Sequence, residues 1–545
     1  EQPARFQSII ERSILISVRL HSFLPIALCS ALALPLAAQT PATTTAAPVA
    51  KSAQSAQSAP AAAPAANTPA DSADFKPIPP ETKSVTQHAG TFNGRSVHYT
   101  ATAGNLLIRD ESDHPTASIF YVAYTEDGAD AATRPVTFFY NGGPGSSSIW
   151  LHMGSFGPVR VVTDSPKPTA GPPYQLVAND QSLLDQSDLV FIDAPATGFS
   201  RIVGKATLKD FASTDADIHA FDRFIVRFLT EFHRWNSPKY LFGESYGTTR
   251  SAGLVSSLAA SGVQCNGVIL LSSILNYGVR QPGYDTPYIS YLPTYAAIAW
   301  YHKKVKRTGT MEDFVQQARA FARGPYAAAL AQGNHLPPAE FDQTAARVAE
   351  FTGLSTRYVK ESNLRINPWR FRKELLRDSD RTVGRYDARF LGLDADDAGE
   401  SPEYDASETG VNGAFVSAFH DYLERELKLT TGDQYFVSGH GIIEVWEFKH
   451  VFQEEHYASA DTGLDLAFAM RKNPRLRVFS SNGYFDLATP FFATEYDLAH
   501  LELPAELLPN ITYGYYPSGH MVYLNTDALK QLRKDLGTFY SVGSK

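Results

Sequence analysis

Ser245 lies in Gly243-Glu244-Ser245-Tyr246-Gly247, directly after the apolar run Tyr240-Leu241-Phe242 and before a stretch of helical character. A strand, a sharp turn and a helix in that order lift a serine hydroxyl clear of a sheet. The flanking glycines remove the Cβ atoms that would block such a turn. The pattern is short enough to arise by chance, so a nucleophile needs a base, an orienting acid and an oxyanion hole from elsewhere in the chain. A histidine suits the base, because its ordinary pKa of about 6.5 lets it take and return a proton near neutrality. Among 15 histidines, His520 stands apart by its setting, Pro517-Ser518-Gly519-His520-Met521. That loop follows the strand-like run Ile511 to Tyr515 and precedes the C-terminal helical stretch. Asp486 closes Ser480-Ser481-Asn482-Gly483-Tyr484-Phe485-Asp486, again just past a strand, and can hold the imidazole in one tautomer.

The oxyanion hole requires backbone N–H groups aimed at the developing negative charge. Asn141-Gly142-Gly143-Pro144-Gly145-Ser146 follows the strand Pro135 to Tyr140, so Gly143 can offer one N–H and Tyr246, the residue after the nucleophile, the other. The competing reading of these glycines as a phosphate cradle fails, because neither GxxxxGK[ST] nor GxGxxG with its later acidic residue is present. Ser, Asp and His each close a different strand, in the chain order of α/β-hydrolases.

The elements that must position them read as an α/β sheet. Alternating segments Ser96 to Thr100 and Ala117 to Tyr124 suggest a β-meander with one solvated face. Short, continuously apolar runs follow: Pro135 to Tyr140, Asp188 to Ile192, Tyr240 to Gly243, Gly267 to Leu271, Leu476 to Ser480 and Ile511 to Tyr515. Such runs, separated by helical stretches, mark a mostly parallel central sheet flanked by helices. Thr214 to Phe232 carries Ile218, Phe221, Ile225 and Phe228 on one stripe, and Gly247 to Ala260 continues from the serine turn. About 200 residues without a strand-rich pattern separate Ser272 from Leu476, far more than a loop accommodates. Helical composition at Ser290 to Tyr301, Glu312 to Ala322, Ala339 to Phe351 and Gly413 to Leu427 predicts an inserted helical cap over the carboxyl edge of the sheet, placed to act as a lid. The expected organisation is a signal peptide at 1–38, an Ala/Pro/Ser/Thr-rich tether at 39–83, a first core part at 84–275, the cap at roughly 276–450 and a second core part at 451–545.

The N-terminal assignment rests on Arg12 and Arg19 ahead of an apolar stretch from Phe23 to Ala38 that ends in small residues. It predicts an exported protein, periplasmic or secreted, with an uncleaved anchor as the alternative. No later segment is long and apolar enough to span a membrane. Cys29 falls in that segment, so Cys265 is left alone and no intramolecular disulfide is expected in the mature chain. A net charge of −9 with no basic block argues against nucleic acid as a partner. The group His440, His450, His456, Glu444, Glu447, Glu454 and Glu455 lacks HExxH and reads as a solvated helix, and Asp394, Asp396, Asp397 and Glu400 read as surface. The expectation is no metal and no organic cofactor.

The chain resembles the serine carboxypeptidase family of α/β-hydrolases, in NGGPGSSS at 141–148, DLVFIDAPATGFS at 188–200, GESYG at 243–247, NGYFD at 482–486 and SGHM at 518–521. The resemblance implies an α/β-hydrolase fold and a peptide substrate. It implies Ser245, Asp486 and His520 as triad, Gly143 and Tyr246 as oxyanion hole, and Asn141 with Glu244 as the pair holding the substrate's C-terminal carboxylate. Two carboxyl groups can pair only by sharing a proton, so it also implies that binding is favoured at acidic pH. The chain departs from the family at Phe139, where Trp is usual, at Ser146, where Cys is usual, and at Ser155-Phe156-Gly157-Pro158, where Glu-Leu-Gly-Pro adds a further acid. The absence of paired cysteines suits a bacterial exported member. An esterase or acyltransferase on the same triad, and a non-catalytic binding protein on the same scaffold, remain as alternatives.

Overall fold

A computed structural model describes residues 75–439 and 441–543. The signal peptide expected at 1–38, the tether up to residue 74 and His440 lie outside the described residues. The central sheet is built from β1 (Lys83–Phe92), β2 (Arg95–Arg109), β3 (Pro115–Glu126), β4 (Val136–Tyr140), β5 (Asp188–Ile192), β6 (Lys239–Glu244), β7 (Gly267–Leu271), β8 (Arg477–Gly483) and β9 (Ile511–Tyr516). Their spatial order is β1-β2-β3-β5-β4-β6-β7-β8-β9, and a short strand, Arg201–Ile202, pairs with β3 to complete a 10-stranded sheet. From β5 to β9 all neighbours run parallel, while β1, β2 and β3 pair antiparallel with one another and β3 with β5. This is the α/β-hydrolase architecture expected from the alternation of apolar strands and helical stretches.

The parallel strands are apolar on both faces because both are covered. Phe139, Phe242, Ile269 and Phe479 point to one side, where they join Phe415, Phe419, Leu532 and Phe539. Their chain neighbours Phe138, Tyr140, Leu241, Val268, Leu270 and Val478 point to the other, against Phe221, Phe228, Leu254, Leu258 and Met470. The period of two along each strand thus feeds two separate cores. The predicted meander departs from expectation at β3, where residues 117–124 are all buried rather than alternating. The Tyr124 hydroxyl meets His152 Nε2 at 2.7 Å and the Tyr422 hydroxyl at 3.1 Å on one side. On the other, Tyr121 packs against Phe224, Phe228 and Phe232.

The helical segment between β7 and β8 is not one packing unit. Helices Thr286–Tyr301, Met311–Phe321 and Pro338–Thr352 share a core through Leu292, Tyr295, Val315, Val348 and Phe351, and that core includes Phe485, Leu487 and Phe491 from the loop after β8. Helix Asn412–Arg425 instead lays Phe415, Phe419 and Tyr422 on the sheet itself. The acidic stretch read as surface folds around a cation of the chain: Lys373 Nζ donates to Asp394 Oδ2 at 2.7 Å and to the Asp396 carbonyl at 2.5 Å, with Lys373 and Asp394 both buried. The stretch read as a solvated helix is a small hairpin, His450–Phe452 with Glu455–Tyr457. His450 is buried there between Asp215, 2.6 Å from Nδ1, and Asp465, 2.7 Å from Nε2. Among the described residues no group of His, Cys, Asp and Glu is arranged to hold a metal ion, and no helix is long and apolar enough to cross a membrane.

Burial works against a charge on His450, but the hydrogen bonds and charges of Asp215 and Asp465 prevail and push its pKa up to about 9. A pKa raised on folding stabilises the fold fully below the unfolded value of about 6.5 and loses that effect as pH rises through the folded one. The destabilisation caused by His450→Gln should therefore be largest below about pH 6.5 and shrink toward pH 9, as read by urea unfolding at both ends of that window.

Candidate active site

β6 ends at Glu244 and the next helix begins at Tyr246, so Ser245 alone makes the turn, at φ 59° and ψ −129°. A non-glycine residue there carries strain of about 1–3 kcal/mol and persists only where its surroundings enforce it. Ser245 N–H donates to the Leu271 carbonyl at 3.0 Å, and the Ser245 carbonyl accepts from Thr248 N at 2.8 Å and Thr248 Oγ1 at 2.7 Å. Backbone then closes on backbone. A Cβ on Gly243 would stand 2.1 Å from the Gly247 carbonyl oxygen, and one on Gly142 would stand 2.4 Å from the amide nitrogens of both Tyr246 and Gly247. The loop after β4 is therefore pressed against the serine turn with no side chain between them.

Each of the two segments leaves an N–H group open. Tyr246 is the first residue of its helix, where an N–H has no intrahelical acceptor, and Gly143 is exposed at φ 103° with no acceptor for its N–H among the described residues. The loop is pinned from outside by Gly439 N–H to the Gly145 carbonyl at 2.6 Å and by Ser147 N–H to the Val437 carbonyl at 2.9 Å. From below, Asp193 Oδ1 accepts from Ser148 N at 2.8 Å and from the Tyr435 hydroxyl at 3.2 Å. Burial raises the Asp193 pKa to about 6 against these bonds.

His520 and Asp486 come together on the same rim. His520 Nδ1 stands 2.7 Å from Asp486 Oδ2, both side chains buried. Asp486 Oδ1 also accepts from Ala488 N at 2.7 Å and Thr489 N at 3.0 Å, while Oδ2 accepts from the Thr489 hydroxyl at 2.7 Å. The His520 backbone is held at both ends, its N–H by the Tyr386 carbonyl at 2.6 Å and its carbonyl by the Ser272 hydroxyl at 2.6 Å. Burial alone would lower the imidazole pKa, yet the charge and hydrogen bond of Asp486, with a further contribution from Glu244, raise it above its ordinary value. No hydrogen bond joins the Ser245 hydroxyl to His520 among the described residues; such contacts often tighten only when substrate arrives.

Glu244 and Asn141 also meet. Glu244 is buried, and burial raises its pKa to about 7 against the opposing influence of His520, Tyr523 and Asn141. Asn141 Oδ1 is occupied by Leu151 N–H at 3.0 Å, which turns the amide so that its NH₂ serves the Glu244 side. Tyr523 lies beside the same carboxyl without closing a well-formed bond, since its hydroxyl and Glu244 Oε2 both lack a partner of good geometry among the described residues. The site thus holds an acid poised near neutrality with unspent hydrogen-bonding capacity.

Several supporting groups carried no sequence signal. Arg250, fully buried, forks onto Asp217 at 2.7 and 3.0 Å and donates to the Asn141 carbonyl at 2.8 Å. The Tyr246 hydroxyl donates to the same Asp217 at 3.1 Å. One ion pair therefore ties the loop after β4 to the helix after Ser245. Tyr386 and Ser272 likewise sit at distant positions that only the fold brings to His520, while Thr489 and Tyr523 each follow a site residue by three positions.

A family model described as serine carboxypeptidase matches residues 94–370, just over half of the chain. That span includes Asn141, Gly143, Glu244, Ser245 and Tyr246, and ends before Asp486 and His520. The pheromone-processing carboxypeptidase KEX1 of Saccharomyces cerevisiae (strain JAY291) is 30% identical over 156 residues, 26% of this chain and 20% of that protein. Serine carboxypeptidase S10 family member 1 of Dictyostelium discoideum is 29% identical over 136 residues, 24% of this chain and 29% of that protein. The match therefore spans between about a fifth and three tenths of the length of these curated relatives. Among solved structures, that of the prohormone-processing carboxypeptidase KEX1(delta)p from Saccharomyces cerevisiae is similar at a TM-score of 0.49 and 16% identity, covering 81% of this chain and 91% of that one. Proline iminopeptidase of Mycobacterium smegmatis is similar at a TM-score of 0.34 and 11% identity, covering 81% and 98%. With the family model spanning just over half of the chain, including the glycine-rich loop after β4 and the serine turn, the chain belongs to the serine carboxypeptidase family.

Proposed function

We propose that this protein is an exported serine carboxypeptidase that releases C-terminal amino acids from peptides through an acyl-enzyme. The observation that carries the reading is the buried Asp486–His520 hydrogen bond of 2.7 Å, on the same sheet rim as a serine held in a strained turn. Ser245 Oγ attacks the scissile carbonyl while His520 Nε2 takes its proton, and Asp486 holds the Nδ1–H and stabilises the imidazolium. The tetrahedral oxygen accepts from the N–H groups of Gly143 and Tyr246. Collapse of the intermediate breaks the C–N bond, with the proton passing from His520 to the leaving amine. Water, deprotonated by His520, then attacks the ester and restores the serine. Export rests on the charged, apolar and small-residue succession of residues 1–38.

Exopeptidase action requires recognition of a free carboxylate, assigned here to Asn141 and Glu244. Below about pH 7 Glu244 is protonated and donates a hydrogen bond to the substrate carboxylate; above it the two charges repel. Protonation of Glu244 has a second effect. It removes a negative charge that raises the His520 pKa, so the neutral base persists to lower pH. The esterase or acyltransferase alternative is favoured by one observation: Ser155, where the family carries an acid, is buried and donates to the Leu151 carbonyl, leaving Glu244 without an acidic companion from that segment.

Incubation with a peptide mixture, read by mass spectrometry, should give ladders shortened by single C-terminal residues, and Ser245→Ala should abolish them together with fluorophosphonate labelling. Internal cleavage only, or turnover of esters without peptides, would remove the carboxypeptidase assignment. In Glu244→Gln, the rise of KM through about pH 7 should disappear for peptides but stay absent for C-terminally amidated ones. Above about pH 7, where Glu244 is charged in the wild type, fluorophosphonate inactivation should also be faster in the variant, since a negative neighbour that favours the protonated form of His520 is gone. An unchanged inactivation profile would show that Glu244 does not act on the base.

A further inference from the structure

The backbone of Arg385 and Tyr386 bridges the two loops that carry Asp486 and His520. The Arg385 carbonyl accepts from Leu487 N–H at 3.0 Å, the residue after Asp486, and the carbonyl of the next residue, Tyr386, accepts from His520 N–H at 2.6 Å. The Tyr386 ring lies 5.2 Å from the His520 ring, centroid to centroid. The Arg385 N–H is anchored on Asp405 Oδ1 at 2.9 Å, so the backbone leaves little freedom in where the side chain starts. The guanidinium is partly buried between the Tyr386 ring, 5.1 Å away, and the Trp369 ring, 5.3 Å away.

What this guanidinium lacks is a carboxylate. Five N–H donors are available on an arginine side chain, yet the hydrogen bond it makes among the described residues is one of 3.3 Å to the Tyr386 hydroxyl. Five of the six buried arginines among the described residues behave differently: Arg134, Arg234, Arg250, Arg389 and Arg533 each close an ion pair, while Arg372 donates to the Val383 and Tyr404 carbonyls with Asp405 3.8 Å away. The acids around Arg385 are engaged otherwise. Asp486 is taken by His520, Thr489 and Ala488, and Asp405 Oδ1 by Ser407 and the Arg385 amide, with Arg372 at 3.8 Å; Asp405 Oδ2 is buried without a hydrogen-bond partner among the described residues and closes no ion pair with Arg385. Glu408 feels Arg385 at a distance, but burial and then Asp405 raise its pKa to about 7, so under acidic conditions it is neutral. Arg372 adds a like charge, while the Tyr291 and Tyr386 hydroxyls stay neutral.

Resting on the peptidase reading above, we infer that Arg385 is a specificity-determining residue that receives the side-chain carboxylate of an acidic residue flanking the scissile bond. A planar guanidinium stacked on aromatic rings is preorganised for a two-pronged bond to a carboxylate, and a charged hydrogen bond of this kind discriminates by about 10-fold to 100-fold against an uncharged isostere. The substrates so favoured are peptides with Glu or Asp next to the bond that Ser245 attacks.

The test uses N-blocked dipeptides in isosteric pairs, Glu-Leu against Gln-Leu and Leu-Glu against Leu-Gln. The wild type should cleave the Glu member of one pair at least about tenfold faster in kcat/KM, Arg385→Met should bring that ratio to about one, and Arg385→Lys should leave an intermediate value. Calorimetry supplies a readout without turnover: N-acetylglutamate should bind the wild type and Ser245→Ala more tightly than N-acetylglutamine, and the difference should vanish in Arg385→Met. A wild-type ratio near one at both positions, a ratio that survives Arg385→Met, or an equal loss on Glu and Gln substrates would overturn the assignment; the last would place Arg385 on the C-terminal carboxylate or in the scaffold. Wild type that neither labels at Ser245 nor shortens any peptide would overturn the peptidase reading instead, and the calorimetric difference would still decide the role of Arg385.

Discussion

The site depends on two stretches of bare backbone lying in contact. Gly142 faces the amides of Tyr246 and Gly247 at distances that leave no room for a methyl group, and Gly243 faces the Gly247 carbonyl in the same way. Where the segments touch, Ser245 is held at a positive φ that a free chain would avoid. The strain at one residue is distributed over contacts that cannot relax singly. The sheet register supplies the rest: β4, β6 and β7 end at neighbouring levels, so that Tyr140, Gly243 and Leu271 with Glu244 form one rim.

Charge is arranged to keep that rim rigid without neutralising the groups that react. Asp217 and Arg250 are buried together and spend their remaining hydrogen bonds on the Tyr246 hydroxyl and the Asn141 carbonyl, which makes the ion pair a tie between loops. Asp193 does the same for the loop at Ser148. Glu244 and His520 each shift the other's basicity, with burial foremost for Glu244, and burial and then Asp486 foremost for His520. Around these, hydroxyl groups of Thr489 and Ser272 complete the bonds that the triad would otherwise leave open.

Much of this was legible in the sequence, for a physical reason. Ser245, Asp486 and His520 each follow a strand recognisable by its apolar run, and parallel strands bring their carboxyl ends to one edge, so chain order sufficed to place the three near one another. The glycine-rich loop after β4 was visible for the same reason, although Gly142, the residue that makes the contact, could not be told from Gly143 by pattern. Asp217 and Arg250 were not legible, since an ion pair between two helices leaves no spacing rule behind. In the acidic run near Asp394, Asp396 and Glu400 are exposed as expected, and only the inward turn of Asp394 was missed, because its counter-ion, Lys373, is remote in sequence; His450 was misread because the two aspartates that bury it belong to other helices. The full burial of β3 was hidden because its second cover comes from helix Asn412–Arg425, far along the chain.

The loop after β8 carries a consequence for how this enzyme family can diversify. Phe485 and Leu487, on either side of Asp486, are embedded in the core of the helical cap together with Leu292, Tyr295 and Val348. The cap is thus no exchangeable module set on a finished catalytic base. Drift in its interior is transmitted to the triad acid, and selection for a new substrate preference acts at the same time on the alignment of the proton relay. A lineage that remodels this cap must do so in steps small enough to leave Asp486 in place, which confines its accessible variation to the cap's outer faces.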